Sequence, residues 1–338
     1  MKFILQNYST DPHFNMAFDE FCLERLKADE PVFYLWQNRP SVIIGLNQSA
    51  YAEVNLPYLH EKGIVLARRT TGGGAVYHDL QNLNYTIVGR SGDLERDYPG
   101  YLHLFCDALR QLGVSAELSG RNDILVDGRK VSGYAKRVWH DRLMVHGTLL
   151  YDVDLETLAQ ALSVPGSKMA AGRPAAADGM KAAGIPSVPS RVANLKKLLP
   201  QFHSLDEVQA ALQRILADGD GEITLTGAQE AEIDRLAREK FATPEWNLGR
   251  SPETNFHRRE KFACGTVEAD FTVVRGILTE LHFGGDFLGD APVTELEQAL
   301  KGCPYDRTAL SERIATLNPA RFFDGLNVAQ LTEMLCHL

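Results

Sequence analysis

No run of about 18 apolar residues occurs in the chain, so no segment is long enough to cross a bilayer as a helix. Cysteine is sparse and unpatterned. The five residues Cys22, Cys106, Cys264, Cys303 and Cys336 never form a C-x-x-C pair, which speaks against a zinc ribbon or a dithiol redox centre and leaves reduced thiols as the expectation. An excess of basic charge is also missing. With 35 Lys and Arg against 44 Asp and Glu the net charge is -9, so neither nucleic acid nor a membrane surface is an expected partner, and an anionic ligand must be met locally. The opening Lys2-Phe3-Ile4-Leu5 gives way to Gln6, Asn7 and Asp11, too short for a signal-peptide core, and a cytoplasmic location is expected. What is present is ordinary globular material, 44% hydrophobic and 23% charged, in 338 residues, a length that fits two domains.

Apolar residues Phe14, Ala17, Phe18, Phe21, Cys22 and Leu26 recur at intervals of three and four behind Asp11-Pro12, which predicts an amphipathic helix. Strands are expected at 32–36 and 42–45, joined as a hairpin at Asn38-Arg39-Pro40, and further short strands at 64–68, 75–77, 85–88, 124–126, 129–132 and 144–150. A helix at 101–112 separates them, without the regular alternation of a doubly wound sheet. Residues 165–189 turn to Ala, Gly, Pro and Ser, a long irregular stretch of the kind that serves as a lid or stays disordered. Helical patterns return at 205–217 and 228–239, and the two prolines and glycine within 243–252 mark a domain boundary. Beyond it, alternation on both sides of Arg275-Gly276 predicts a hairpin, followed by two or three short helices.

Three segments carry chemistry. In Arg68-Arg69-Thr70-Thr71-Gly72-Gly73-Gly74-Ala75-Val76-Tyr77-His78-Asp79, adjacent glycines let the backbone approach a ligand and present its N–H groups, while the arginines supply fixed charge for a phosphate or carboxylate. No Lys-Ser or Lys-Thr follows, so it is not a P-loop, and Tyr77 occupies the place of the third glycine in a dinucleotide fingerprint. A solvated glycine-rich turn is the alternative. In the second segment, residues 120–135, Asp127-Gly128 signals a tight hairpin that places Arg129 and Lys130 on opposite faces of the returning strand, with Ser132, Gly133 and Ala135 leaving room for a ligand beside Lys130. A surface hairpin with a basic turn is the alternative there. The third, His146-Gly147-Thr148-Leu149-Leu150, could floor a pocket, although a single histidine beside a strand also serves structure.

Together, and in this order, these segments resemble the lipoate-protein ligase A family. So do Asp11-Pro12-His13-Phe14-Asn15, Leu35-Trp36-Gln37-Asn38, Ser190-Arg191-Val192 and Glu245-Trp246-Asn247-Leu248-Gly249, so the resemblance covers nearly the whole chain. It implies an α+β fold of the biotin/lipoate protein ligase type, related to class II synthetase cores. A mixed, mostly antiparallel sheet domain would occupy 1–244 and a small α/β accessory domain 253–338. The implied reaction has two steps: lipoate and ATP, with Mg²⁺, give lipoyl-AMP and pyrophosphate. The lipoyl group then passes to a lysine of an acceptor, a lipoyl domain of a 2-oxoacid dehydrogenase E2 subunit or the glycine cleavage H protein.

By the same resemblance Lys130 is the catalytic residue, screening like charge as the carboxylate meets the α-phosphate and later polarising the anhydride carbonyl. Arg69, Gly73, Gly74, Ala75, Val76, Tyr77, His78, Asn82, Asp123 and Lys130 would hold nucleotide and lipoate, with Trp36, Val76 and His78 as walls for the acyl tail. No protein-held metal site and a monomer are expected, and residues 179–187 take the position of the family's adenylate-covering loop. Lys136, Arg137 and Arg142 are candidates for a docking face toward an acidic acceptor. Two other readings stand beside this one. A transferase of the same fold, for lipoyl or octanoyl groups, needs a thiol near Lys130, whereas Cys106 lies in an apolar pattern. A ligase-like binding module would hold lipoate without turning over ATP.

Overall fold

The structure is a computed structural model. It describes all residues except 5–6, 49, 120–122, 163–191, 218–220, 249–255, 275–276, 306 and 337–338. The lid expected within 179–187, Arg191, and the turn at Arg275-Gly276 therefore lie outside the described residues. The strands are β1 (Lys2–Ile4), β2 (Val32–Trp36), β3 (Ser41–Ile44), β4 (Val65–Arg68), β5 (Val76–His78), β6 (Asn82–Arg90), β7 (Ala116–Ser119), β8 (Asp123–Val126), β9 (Arg129–Trp139), β10 (Arg142–Leu150), β11 (Glu222–Ile223), β12 (Phe256–Phe262), β13 (Gly265–Val274) and β14 (Ile277–Gly285). The chain divides into two compact units. One comprises Met1–Ile44, Ala50–Thr70 and Val76–Asn247, and the other Gly45–Ser49, Thr71–Ala75 and Leu248–Leu338.

The first unit is built on an eight-stranded sheet in the order β11-β1-β2-β6-β10-β9-β8-β7. Only β1 runs parallel to its neighbours, and the remaining pairs are antiparallel. A smaller sheet, β4-β3-β5, stands apart from it. Residues 32–36 form a strand as expected and the second strand runs over 41–44, not 42–45, but the two do not form a hairpin, because β2 pairs with β1 and β6 whereas β3 pairs with β4 and β5. The connection carries the buried Asn38, whose side chain bonds to Asn15 and His78, and this anchorage takes the chain from one sheet to the other.

Alternation along β6 explains the layers. Leu83, Tyr85 and Ile87 join a core with Leu102, Phe105 and Leu109 of the helix Leu94–Gln111 and with Val208 and Leu212 of the helix Leu205–Leu216. The opposite face faces the helix Pro12–Glu24, which Asp11 caps by accepting from the His13 N–H, with Pro12 in its first turn. Phe18 and Phe21 of that helix pack with Tyr34, Trp36, Val88 and Met144. Yet on this same buried face β6 presents Asn82, Asn84 and Thr86, all at most 1% exposed. A polar row inside a layered core is costly unless every group is paired, so it marks where function departs from packing.

The second unit contains the antiparallel sheet β12-β13-β14 and the helices Val293–Leu300, Arg307–Leu317 and Val328–Cys336 around Phe271, Phe283, Phe287 and Phe323. Among the described residues, no helix is long and apolar enough to cross a membrane.

Candidate active site

One irregularity of strand pairing sets the direction of Lys130. Between β8 and β9, Asp123 faces Gly133 and Ile124 faces Ser132, but the register then shifts so that Leu125 faces Lys130. Val131 is the extra residue of a β-bulge. Strict alternation would put Lys130 with Ser132 and Tyr134, toward the core that buries Tyr134 and Val131. The bulge moves it to the other face, with Asp123, Gly133 and Ala135. There its ammonium pairs with the Asp123 carboxylate at 2.7 Å. The chain at Val192-Ala193 holds Lys130 from behind, since Val192 forms an isolated bridge with it and Ala193 N–H donates to its carbonyl oxygen at 2.9 Å.

From this ion pair a row crosses the sheet. Asp123 opposes Gly133, and Gly147 opposes Tyr134 on the next pair of strands, so Gly133 meets Thr148, which opposes Asn84, which opposes Trp36. Gly133 N–H donates to Thr148 Oγ1 at 3.2 Å. Exposure falls along the row, from 30% for the Lys130 side chain to 1% for Asn84 and 4% for Trp36. It is open at the ammonium and closed at the indole, with no side chain at Gly133 and a small one at Thr148 between them.

The closed end is a hydrogen-bonded wall. Tyr34 and Thr86 hydroxyls donate to Asp19 Oδ1 at 2.6 and 2.9 Å, His146 Nδ1–H donates to Asp19 Oδ2 at 2.6 Å, and Trp36 Nε1–H donates to Thr86 Oγ1 at 3.0 Å. Of this wall, His146 and Trp36 were legible in the sequence as pocket candidates, whereas Asp19, Tyr34 and Thr86 were not, because Asp19 reads as one helix residue among many.

His78, on β5, meets Trp36 edge to face with ring centroids 6.2 Å apart. Its tautomer follows from a chain of bonds. The Asn15 amide nitrogen must donate, because it lies 3.0 and 2.9 Å from the carbonyl oxygens of Ser9 and Gln37. It also reaches Asn38 Oδ1 at 2.8 Å, so Asn38 Nδ2 donates to His78 Nδ1 at 3.0 Å. The proton of His78 is on Nε2. Burial, then Arg69 and His146, push its pKa down to about 3, so the ring is neutral at physiological pH. Arg69 is buried as well, with Nη1 donating to the Ile43 carbonyl at 3.0 Å. Burial and then Arg68 lower its pKa to about 10, which leaves it charged at neutral pH. Burial raises the Tyr77 hydroxyl, keeping it protonated, and Val76 packs with the Trp36 cluster. Asn82 Nδ2 donates to Asn84 Oδ1 at 2.9 Å.

Gly73, Gly74 and Ala75 belong to the second unit, in the segment Thr71–Ala75. Two of the three glycines there answer to the chain's own packing. A Cβ on Gly72 would lie 2.5 Å from the Phe287 carbonyl oxygen, and Gly73 has φ +92° with its N–H donating to that oxygen at 3.4 Å. Gly74 differs, since a Cβ there would meet only Asp286 Cβ at 3.8 Å, an ordinary contact. Gly72→Ala is expected to lose about 1 to 3 kcal/mol by denaturant titration, whereas Gly74→Ala should melt like the parent. Equal stability losses in both would contradict this division.

The basic residues anticipated as a docking face make contacts within the chain. Arg137 pairs with Glu24 at 2.6 Å and Glu20 at 3.8 Å, and Arg142 donates to the Cys22 carbonyl at 3.1 Å and to that of Leu26. Lys136 lies over the Tyr98 ring at 4.8 Å. The two arginines fasten β9 and β10 to the helix Pro12–Glu24. Their partners precede them by more than a hundred residues, at a separation no local pattern reports.

The fold thus defines a ligase of the biotin/lipoate type, a large mixed sheet with helices followed by an antiparallel C-terminal sheet domain. The lipoyl protein ligase A/B catalytic domain matches residues 11–217 and the bacterial lipoate protein ligase C-terminus matches 251–335, so the chain belongs to the lipoate-protein ligase family. It is 37% identical to lipoate–protein ligase 1 of Staphylococcus aureus, over 99% of this chain and 100% of that one. Identity with lipoate-protein ligase LplJ of Bacillus subtilis is 33%, with the same shares covered. Among solved structures, Plasmodium falciparum LipL1 in complex with lipoate shares the fold with a TM-score of 0.76 at 23% identity, over 100% of this chain and 99% of that one. A bipartite lipoate protein ligase with its E2 lipoyl domain from Thermoplasma acidophilum gives 0.62 at 30% identity, over 75% and 98%.

Proposed function

We propose that this enzyme joins lipoate to ATP as lipoyl-AMP and then passes the lipoyl group to a lysine of an acceptor protein. The row from Lys130 to Trp36 carries the reading. A carboxylate placed at the ammonium end would have its acyl chain lying over Gly133 and Thr148, with its tail toward the closed end. Residues 1–244 would perform catalysis, with 253–338 accessory to it, in a cytoplasmic monomer. Lipoyl domains of 2-oxoacid dehydrogenase E2 subunits and the glycine cleavage H protein are the acceptors that fit the family, and the Thermoplasma ligase stands with a lipoyl domain of this kind.

In the first step a carboxylate oxygen attacks the α-phosphorus of ATP and pyrophosphate leaves. Both reactants are anionic. Lys130 lowers their repulsion and donates N–H bonds to the charge that develops, while Asp123 holds the ammonium in place. Arg69 adds a buried charge, and the Asn82 amide with the backbone at 76–77 would hold the nucleotide. Among the described residues no three His, Cys, Asp or Glu converge as a metal cluster. Mg²⁺ ordinarily takes one or two carboxylates together with phosphate oxygens, a demand Asp123 fits, and when bound it supplies charge to the phosphates. In the second step the acceptor amine attacks the anhydride carbonyl, Lys130 donates to its oxygen, and AMP leaves.

A thioester route is disfavoured physically. Cys106 is buried in the core on the far face of the sheet from Lys130. Cys22 lies behind the closed end, where burial and then Asp19 push its thiol up and keep it protonated. Incubation with ATP, lipoate and a purified lipoyl domain or H protein tests the proposal. Intact-mass spectrometry should show one lipoyl increment on the acceptor. Absence of pyrophosphate release with lipoate and ATP would leave only a binding module.

A further inference from the structure

At the closed end of the row, two side-chain N–H groups have no partner. Asn84 Nδ2 and His78 Nε2 are both sealed from solvent without a hydrogen bond, on residues 1% and 2% exposed. The rest of the wall is satisfied: Trp36 Nε1, Tyr34, Thr86 and His146 Nδ1 all spend their hydrogens on the network around Asp19. Asn84 opposes Trp36 in the sheet, and His78 stands edge-on to the same indole. Two donors therefore flank the aromatic surface against which the tail of a bound acid would end.

Their chemistry restricts that tail. His78 is neutral, its Nδ1 already accepts from Asn38, and the amide of Asn84 carries no charge, so no anion is called for. A hydrocarbon tail would leave both hydrogens unmet, and a site built to hydrogen-bond its substrate rejects the analogue that lacks the acceptor. The tail that suits two neutral donors beside an indole is apolar in bulk and carries soft acceptor atoms, as a cyclic disulfide does. The floor over Gly133 and Thr148 crosses two strand spacings, about 10 Å, which suits a medium-length chain between the ammonium and these donors.

We infer that Asn84 and His78 read the dithiolane sulfurs of lipoate by donating N–H bonds to them, and so select lipoate over an unsubstituted fatty acid such as octanoate. This inference rests on the ligase reading above and names the specificity determinant of that same site.

Calorimetric titration of the full chain with lipoate, octanoate and 5-cyclopentylpentanoate tests it, the last acid keeping the five-membered ring without sulfur. The wild-type protein should bind lipoate about tenfold more tightly than the cyclopentyl acid. Asn84→Leu combined with His78→Phe should bring that ratio close to one. Equal affinities in the wild-type protein, which needs no variant to fold, would overturn sulfur recognition, as would an unchanged ratio in the folded double variant. Binding of none of the three acids would instead overturn the ligase reading, and this inference with it.

Discussion

Lys130→Ala is expected to lower lipoate-dependent exchange of pyrophosphate into ATP by about 10² to 10³, the usual loss on removing one donor aimed at developing charge. The loss should fall on kcat, because the ammonium matters most when carboxylate oxygen and α-phosphorus approach. Transfer from synthetic lipoyl-AMP to a lipoyl domain should slow as well, since the same amine polarises the anhydride carbonyl. The side chain is 30% exposed and carried on a strand bulge, so the variant should keep its circular dichroism and melting behaviour. A variant that melts normally and exchanges at the wild-type rate would remove Lys130 from the chemistry.

The second large effect is on stability and comes from His78. Its folded-state pKa is about 3 against an ordinary 6.5. Above 6.5 the ring is neutral in both states and adds nothing to the pH dependence. As pH falls below 6.5 the unfolded chain takes up a proton that the folded chain refuses, so stability declines by about 1.4 kcal/mol per pH unit until the folded-state value is approached. Urea titrations between pH 6.5 and about pH 4.5, above the range where carboxylates dominate, should show this slope. His78→Gln should flatten it, because the glutamine amide can accept from Asn38 but does not titrate. Parallel slopes for the two proteins would mean that His78 is not held neutral by its surroundings.

Much of the fold was legible because short-range patterns decide it. The helix behind Asp11-Pro12, the Asp127-Gly128 turn and the two C-terminal strands follow from capping, turn chemistry and alternation. The glycine segment, the Lys130 segment and the His146 segment were visible as motifs, and their order carried the family resemblance. What escaped was long-range. No residue type announces the bulge at Val131, yet it decides which face Lys130 joins. Asn84 and Thr86 read as unremarkable strand residues until β2 and β10 are placed on either side of them. The expected hairpin between 32–36 and 42–45 failed because its strands belong to different sheets, a choice made by partners far away in sequence. Nor does a run of three glycines reveal that Gly72 and Gly73 serve packing against Phe287.

The decisive fact is where the bound acid lies. Long-wavelength diffraction from a crystal of the protein with lipoate locates the two sulfurs by their anomalous signal, without assumptions about the chain between. That signal is expected against Trp36, within hydrogen-bonding reach of Asn84 Nδ2 and His78 Nε2, with the carboxylate at Lys130. Sulfur density beside Lys130, or away from the face shared by Gly133 and Thr148, would contradict it.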